Sequence, residues 1–137
     1  MNSNEINTIE SLTLEANRFF DDFVTAFSTF SGEVVARLFS HPYMAVDSDG
    51  NPTILESPAH TAQYFQKYLE DYKGRGSKSC RYDYLDVVPI GSSGALFSVT
   101  WSLQDSSGET INSWSESYCV SRTIEGMLAY ASIDHAA

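Results

Sequence analysis

Apolar residues in the first half of the chain recur every three or four positions, which is the spacing of one helical face. The pattern predicts a long helix over residues 8–30 and a short one over 33–39, separated by Ser31-Gly32. His41-Pro42 is expected to end the second helix, because the residue before proline disfavours helical geometry. A small hairpin over 43–56 and a third helix over 58–72 follow, with Ser57-Pro58 as a helix start.

The second half of the chain alternates apolar and polar residues, which is typical of strands. We predict strands over 81–90, 95–104, 110–122 and 127–135, and their short connections favour an antiparallel meander. The fold class is therefore α+β: a curved antiparallel sheet covered by N-terminal helices in a cone shape. Such an arrangement tends to enclose a cavity between the two layers.

Composition limits the partners of this chain. At 137 residues it is expected to form one domain over 8–137 after a flexible N-terminus, 1–7. The net charge of −10 disfavours nucleic acid and anionic membrane surfaces. No export signal or membrane-spanning run is visible, and Cys80 and Cys119 form no disulfide or metal motif. A cytoplasmic protein is the expectation.

The order of elements resembles the NTF2-like superfamily, more narrowly its SnoaL-like and ketosteroid-isomerase-like branch. The resemblance rests on a long helix, a short helix ending in Leu38-Phe39, a polar hairpin, a third helix and a strand meander. It covers residues 8–135. The superfamily includes isomerases, cyclases, dehydratases and hydrolases, as well as domains that only bind or assemble, so the fold alone names no activity.

The resemblance also implies site residues. Ketosteroid isomerases carry a base eight residues beyond the Leu-Phe pair, which corresponds to Asp47, and a protonated acid on a later strand, near Glu116. Their helix-one tyrosine corresponds to Phe23, which has no hydroxyl to stabilise an enolate. That departure argues against steroid isomerisation by the same mechanism.

The residues themselves leave both carboxylates open to two interpretations. Asp47 begins the turn 47–52, and aspartate often bonds its own backbone in turns. Glu116 shares a strand face with Trp114 and Tyr118, where a carboxylate is costly to bury unless it is paired or protonated. That face is either the concave one, making Glu116 a polar group in a pocket, or the convex one, leaving it in solvent.

Aromatic residues are the candidates for the pocket wall, and the chain offers little for a metal. The predicted lining residues are Phe23, Tyr43, Tyr64, Phe97, Trp101 and Trp114. The three histidines, His41, His60 and His135, have no second ligand at metal spacing on their elements, and no phosphate-binding glycine loop occurs. We predict neither a metal nor a cofactor.

Three functions follow as hypotheses. The first is a small-molecule-binding domain with an apolar pocket for an organic ligand. The second is an acid–base enzyme, an isomerase, cyclase or dehydratase, that uses Asp47 and Glu116. The third is a non-catalytic assembly module that forms a homodimer through the serine-rich outer face of the sheet, at positions 98, 102, 113, 115 and 117.

Overall fold

The computed structural model describes residues 8–135, so the predicted flexible segment 1–7 lies outside the described residues. Within these residues, three helices and six strands follow one another. In order, these are α1 (Ile9–Phe27), α2 (Gly32–Ala36), β1 (Phe39–Val46), β2 (Pro52–Leu55), α3 (Pro58–Gly74), β3 (Ser79–Ile90), β4 (Gly94–Gln104), β5 (Thr110–Thr123) and β6 (Gly126–Asp134).

All six strands belong to one sheet, in the order β2-β1-β6-β5-β4-β3. The strands β3 to β6 form the predicted antiparallel meander, and the α+β class is confirmed. The sheet is mixed, however, because β1 pairs with β6 in parallel. A parallel pair needs a long connection, and here the connection contains α3 and four strands, β2 to β5. The prediction of a wholly antiparallel sheet was wrong at this pair.

The short second helix ends earlier than predicted. It stops at Ala36, and Phe39 already begins β1, which includes His41-Pro42. Proline is tolerated there because the pairing of β1 with β6 is irregular between Phe39 and Met44, so no regular ladder bond is lost. The residues before Pro42 are thus extended, as proline requires, but they lie in a strand instead of a helix end.

Helix α1 covers one end of the concave face and fills it. The Thr8 side chain caps the helix by accepting a hydrogen bond from the backbone N–H of Ser11. The buried face of α1 packs against inward side chains of β4 and β5, and this contact removes most of the core from water. The residues of this packed end are Leu12, Ala16, Phe19, Phe20, Ala95, Phe97, Val120 and Ala129.

Helix α3 covers the other end and is held by α2. A side chain at Gly32 would meet the Ala62 carbonyl oxygen at 2.1 Å, so only glycine permits this close approach. The Gln66 side chain accepts from the Gly32 N–H at 2.7 Å and donates to the Phe30 carbonyl at 3.1 Å. Only Thr61 and Leu69 of α3 are fully buried, so this helix covers the sheet without filling the space beneath it.

No helix within residues 8–135 is long and apolar enough to cross a membrane.

Candidate functional site

A cavity lies between α3 and the concave face of the sheet, at the end that α1 leaves open. The centres of water-sized molecules can occupy about 80 Å³ of it, and the whole hollow with its open mouth measures about 680 Å³. Most of the lining is apolar or aromatic. The lining includes Phe23, Tyr43, Ala45, Tyr64, Tyr68, Tyr72, Trp101, Trp114, Glu116, Tyr118, Ser132 and Asp134.

The enclosed part of this cavity is small. A water molecule needs roughly 10–15 Å³ of such volume, so the space holds about five to eight waters or a ligand group of similar size. Typical ligand pockets begin near 300 Å³. The enclosed part of the cavity therefore has room for one compact head group, and the rest of a larger ligand would lie in the mouth of the cavity.

Two carboxyl groups face each other inside the cavity. The pairing of β5 with β6 places Glu116 directly opposite Asp134, and Val99 on β4 lies opposite Glu116 on its other side. Directly paired residues on antiparallel strands point to the same face. The concave alternative for Glu116 is thus the one that the structure shows.

Glu116 is half-buried and holds its proton unusually strongly. Burial raises the pKa of this carboxyl to about 8, and the nearby charge of Asp134 adds to the rise. The Trp114 indole donates to a Glu116 oxygen at 2.9 Å, which partly offsets the effect. At neutral pH the pair therefore contains a protonated Glu116 that donates to Asp134.

Asp134 is the partner that accepts the hydrogen bond from Glu116. Burial also raises its pKa, while the hydrogen bond from Glu116 lowers it. Asp47 and His135 act from outside in opposite directions, the first raising and the second lowering the pKa of Asp134. The pair thus offers one acidic proton and one basic oxygen at the same place.

Hydrogen bonds fix the aromatic walls around the pair. The Trp101 indole donates to the Tyr118 hydroxyl at 2.8 Å, and the hydroxyls of Tyr43 and Ser132 form a short hydrogen bond across β1 and β6. Burial raises the pKa of Tyr43 and of Tyr118, so both remain neutral hydroxyls. These two hydroxyls are therefore neutral polar groups whose positions in the cavity wall are set by hydrogen bonds.

Five of the six predicted lining residues do lie in the cavity wall: Phe23, Tyr43, Tyr64, Trp101 and Trp114. Phe97 does not. It is completely buried at the packed end, where its ring lies 6.1 Å from that of Phe20. Alternation places it correctly on the concave face, but α1 fills that part of the face. Phe23 packs on Trp101 with ring centroids 4.9 Å apart, so it contributes a wall and no hydroxyl.

Asp47 lies outside the cavity, which corrects its predicted place in the site. One of its carboxylate oxygens accepts from the backbone N–H groups of Asp49 and Asn51, both at 2.9 Å. This is the turn-forming role that aspartate often takes. Leu38-Phe39, from which Asp47 was counted, lies beyond the end of the short helix, and Phe39 already belongs to β1.

Asp134 was missed from the sequence because of one bulge. Starting from buried Ala129, strict alternation would turn Ala131 and Ile133 inward and Asp134 outward. Tyr130 is an extra residue opposite the step from Cys119 to Val120, and it shifts the alternation by one. Asp134 consequently points to the cavity, while Ile133 is exposed on the other face.

Helix α3 contributes a further set of rings that the sequence pattern did not single out as a group. Tyr64, Tyr68 and Tyr72 recur every four residues and therefore lie along one face. Their ring centroids are 5.1 and 6.1 Å apart, and Tyr72 continues to Trp114 at 5.8 Å. These four residues, the aromatic row, form the α3 side of the cavity.

The mouth of the cavity is polar. Tyr68, Tyr72, Trp114 and Asp134 also line an outer chamber, together with Ser48, Asp71, Arg75, Asn112, Ser113 and His135. Arg75 and Asp71 form an exposed ion pair at 3.0 Å. A ligand with a compact head could thus extend a polar group into this chamber.

Nothing within residues 8–135 forms a cluster of three or more histidine, cysteine or acidic side chains suited to a metal ion. Both cysteines are free thiols, and burial raises the pKa of Cys80 to about 12, so this cavity-lining thiol stays protonated. The chemistry of the site is that of carboxyl groups, hydroxyls and aromatic rings.

Solved structures with the same fold share little sequence with this chain. A protein of unknown function with a cystatin-like fold from Nostoc punctiforme has a TM-score of 0.74 at 12% identity, covering 95% of this chain and 93% of that one. A second such domain from the same organism has a TM-score of 0.69 at 21% identity, covering 95% and 79%. An NTF-2-like protein of unknown function from Shewanella oneidensis has a TM-score of 0.68 at 10% identity, covering 90% and 98%.

At these identities the likeness shows the fold alone. No curated protein matches the chain in sequence. A family model described as "NTF2-like protein (DUF6841)" matches residues 14–135, which is most of the chain and includes every residue of the cavity wall. The chain therefore belongs to this NTF2-like family.

Proposed function

We propose that this protein binds a small organic molecule in the cavity between α3 and the sheet. The observation that carries the proposal is the Glu116–Asp134 pair in the wall of a preformed aromatic hollow. Burying two carboxyl groups costs free energy that a core of the same volume without charge would avoid. Such a cost is typical of binding and catalytic sites, where perturbed carboxyl groups concentrate.

A ligand screen by thermal shift tests this proposal. A ligand that binds only the folded state raises the melting temperature. We expect hits among organic molecules of about five to ten heavy atoms, in keeping with the size of the enclosed space. The binding site is then confirmed by chemical shift changes at Trp101 and Trp114.

Variants make the screen specific for the cavity. Ala45→Leu adds a side chain to the wall and is expected to abolish binding by occupying the space. Asp86→Asn is the matched control, since Asp86 is exposed and pairs with Ser98 on the outer side of the sheet. Hits that bind Ala45→Leu as well as the unaltered protein would contradict the proposal.

Acid–base catalysis is a second candidate, and the unequal protonation of the two carboxyls favours it. The Asp134 carboxylate would remove a proton from the carbon next to a carbonyl, leaving the electron pair in an enolate. The Glu116 O–H would donate to the enolate oxygen, and returning the proton to carbon would complete the exchange. This assigns the base to Asp134 in place of the predicted Asp47.

Deuterium uptake into a small ketone tests this candidate directly. Cyclopentanone fits the enclosed volume, and its exchange in heavy water is followed by NMR. We expect Asp134→Asn to abolish any enzyme-dependent exchange and Asp86→Asn to leave it unchanged. Exchange that persists in Asp134→Asn, or no exchange above buffer despite binding, would remove the catalytic candidate and leave the binding proposal intact.

We also infer that two copies of the chain pair through the outer face of the sheet. One cross-strand row on that face is apolar across all six strands: Val88, Leu96, Cys119, Ala131, Met44 and Ile54. Next to it lie small hydroxyls, with Ser98 and Ser117 bonded at 2.7 Å and Thr100 and Ser115 at 2.9 Å. Val88, Met44 and Ile54 in this row are exposed, and an apolar strip that reaches solvent favours contact with another surface.

Light scattering tests the dimer. We expect a mass of twice 15.2 kDa for the unaltered chain and of one chain for Leu96→Arg. Ile124→Arg is the control, because Ile124 is fully exposed at the β5–β6 turn. A monomer at high protein concentration, or a dimer that Leu96→Arg does not weaken, would contradict the inference.

A further inference from the structure

The charges around the cavity are all of one sign. Among the described residues that line it, two are carboxyl groups, and none is lysine, arginine or histidine. The basic side chains of Arg75 and His135 line the outer chamber instead, and Arg75 is paired with Asp71. An anionic head group inside the cavity would therefore meet the Asp134 carboxylate with no basic side chain in the cavity wall.

The walls supply what a cation needs. A positive group within about 6 Å of an aromatic ring is attracted to its face, most strongly for tryptophan. Trp114 and Tyr72 lie 5.8 Å apart beside the carboxyl pair, and Trp101 lies directly across from Trp114 in the sheet. A carboxylate surrounded by such rings is a favourable place for a substituted ammonium group.

The enclosed volume agrees with the same class of ligand. Room for about five to eight water molecules suits a trimethylammonium group or a small protonated amine, but not a multi-ring compound. The remainder of the molecule would reach the polar outer chamber past Tyr68.

We infer that the head group bound beside Glu116 and Asp134 is a small organic cation, held by Asp134 and the aromatic row. This rests on the proposed function and names the class of its ligand. A bound cation favours loss of the Glu116 proton to solvent, which leaves two carboxylates beside it. Proton abstraction by Asp134 instead needs Glu116 protonated, so cation binding and catalysis favour different states of the pair.

Three probes that share a branched group of the same size test the inference on the unaltered protein: choline, its neutral isostere 3,3-dimethylbutan-1-ol and the anion 3,3-dimethylbutanoate. Binding is measured by calorimetry at neutral pH and low salt. We expect choline to bind at least about tenfold more tightly than the neutral isostere, and the anion not to bind. This comparison needs no variant and so does not depend on how well a variant folds.

Variants then assign the effect to residues. Asp134→Asn should weaken choline at least about tenfold while leaving the neutral isostere within about twofold, and Asp86→Asn should change neither. A neutral isostere that binds as tightly as choline would overturn the cation inference while supporting the proposed function. Absence of binding by all three probes would also overturn it, and the ligand screen would then judge the proposed function separately.

Discussion

The two helices that cover the sheet treat the same concave face differently. Under α1, phenylalanines fill the space, and Phe20 and Phe97 are completely buried. Under α3, the facing residues are mostly tyrosines; Tyr68 is 44% exposed and a hollow remains. The α1 end of the concave face therefore supplies stability, and the α3 end carries the groups that can recognise a ligand.

Removing one ring at each end should give the largest difference in unfolding free energy between the two ends. Phe20→Ala leaves a void in a filled core and is expected to cost about 3–5 kcal/mol of unfolding free energy. Tyr68→Ala, at the open end, is expected to cost less than about 1 kcal/mol, because the ring is already partly in water. Urea denaturation measures both, and equal losses would contradict the division between the two ends.

The open end should make stability depend on pH through its carboxyl pair. The pKa of Glu116 is raised on folding, so the folded state binds more protons and its stability falls as the pH rises from about 4.5 to about 8. Asp134 contributes with the same sign, since its pKa is also raised. A tenfold difference in proton affinity between the folded and unfolded states corresponds to about 1.4 kcal/mol, so the loss of stability is of the order of a few kcal/mol.

Glu116→Gln should therefore flatten this profile and become more stable than the unaltered protein at alkaline pH. Denaturation at several pH values gives the two profiles, with Asp86→Asn as the control for the loss of any carboxylate. A Glu116→Gln profile parallel to that of the unaltered protein would show that Glu116 ionises normally.

Enlarging one alanine at each end should give a smaller difference in stability between the packed end and the open end. Ala129→Leu at the packed end forces side chains apart and is expected to cost about 1–3 kcal/mol. Ala45→Leu points its extra carbons into the hollow and should change stability by less than about 1 kcal/mol in either direction. Thermal melts of the pair suffice, and a large loss in Ala45→Leu would indicate that the hollow is not available to a side chain.

Much of the fold could be predicted from periodicity, since the long helices and the four strands of the meander have regular patterns. The errors lie where regularity breaks. Phe39 begins a strand that includes Pro42, and proline is tolerated there because the ladder is interrupted between Phe39 and Met44. Such an irregularity is set by tertiary pairing and leaves no periodic signal.

The site was predictable to the same extent. Glu116 stood out as a carboxylate in an aromatic strand, and its concave position follows from alternation with Tyr118 and Val120. Asp134 did not stand out in the sequence, because a single bulge at Tyr130 turns it to the other face. Phe97 and Trp101 share one alternation pattern, and only the packing of α1 decides which of them borders the hollow.

The proposed site depends most on the protonation state of the Glu116–Asp134 pair inside the hollow. Carbon-13 NMR titration of the Glu116 side chain, in the unaltered protein and in Asp134→Asn, measures that state directly. We predict a Glu116 midpoint well above the ordinary value of 4.5 that moves downward when Asp134 is neutralised. A midpoint at or below 4.5 in the unaltered protein would contradict the account, because the carboxyl would then be neither buried nor paired.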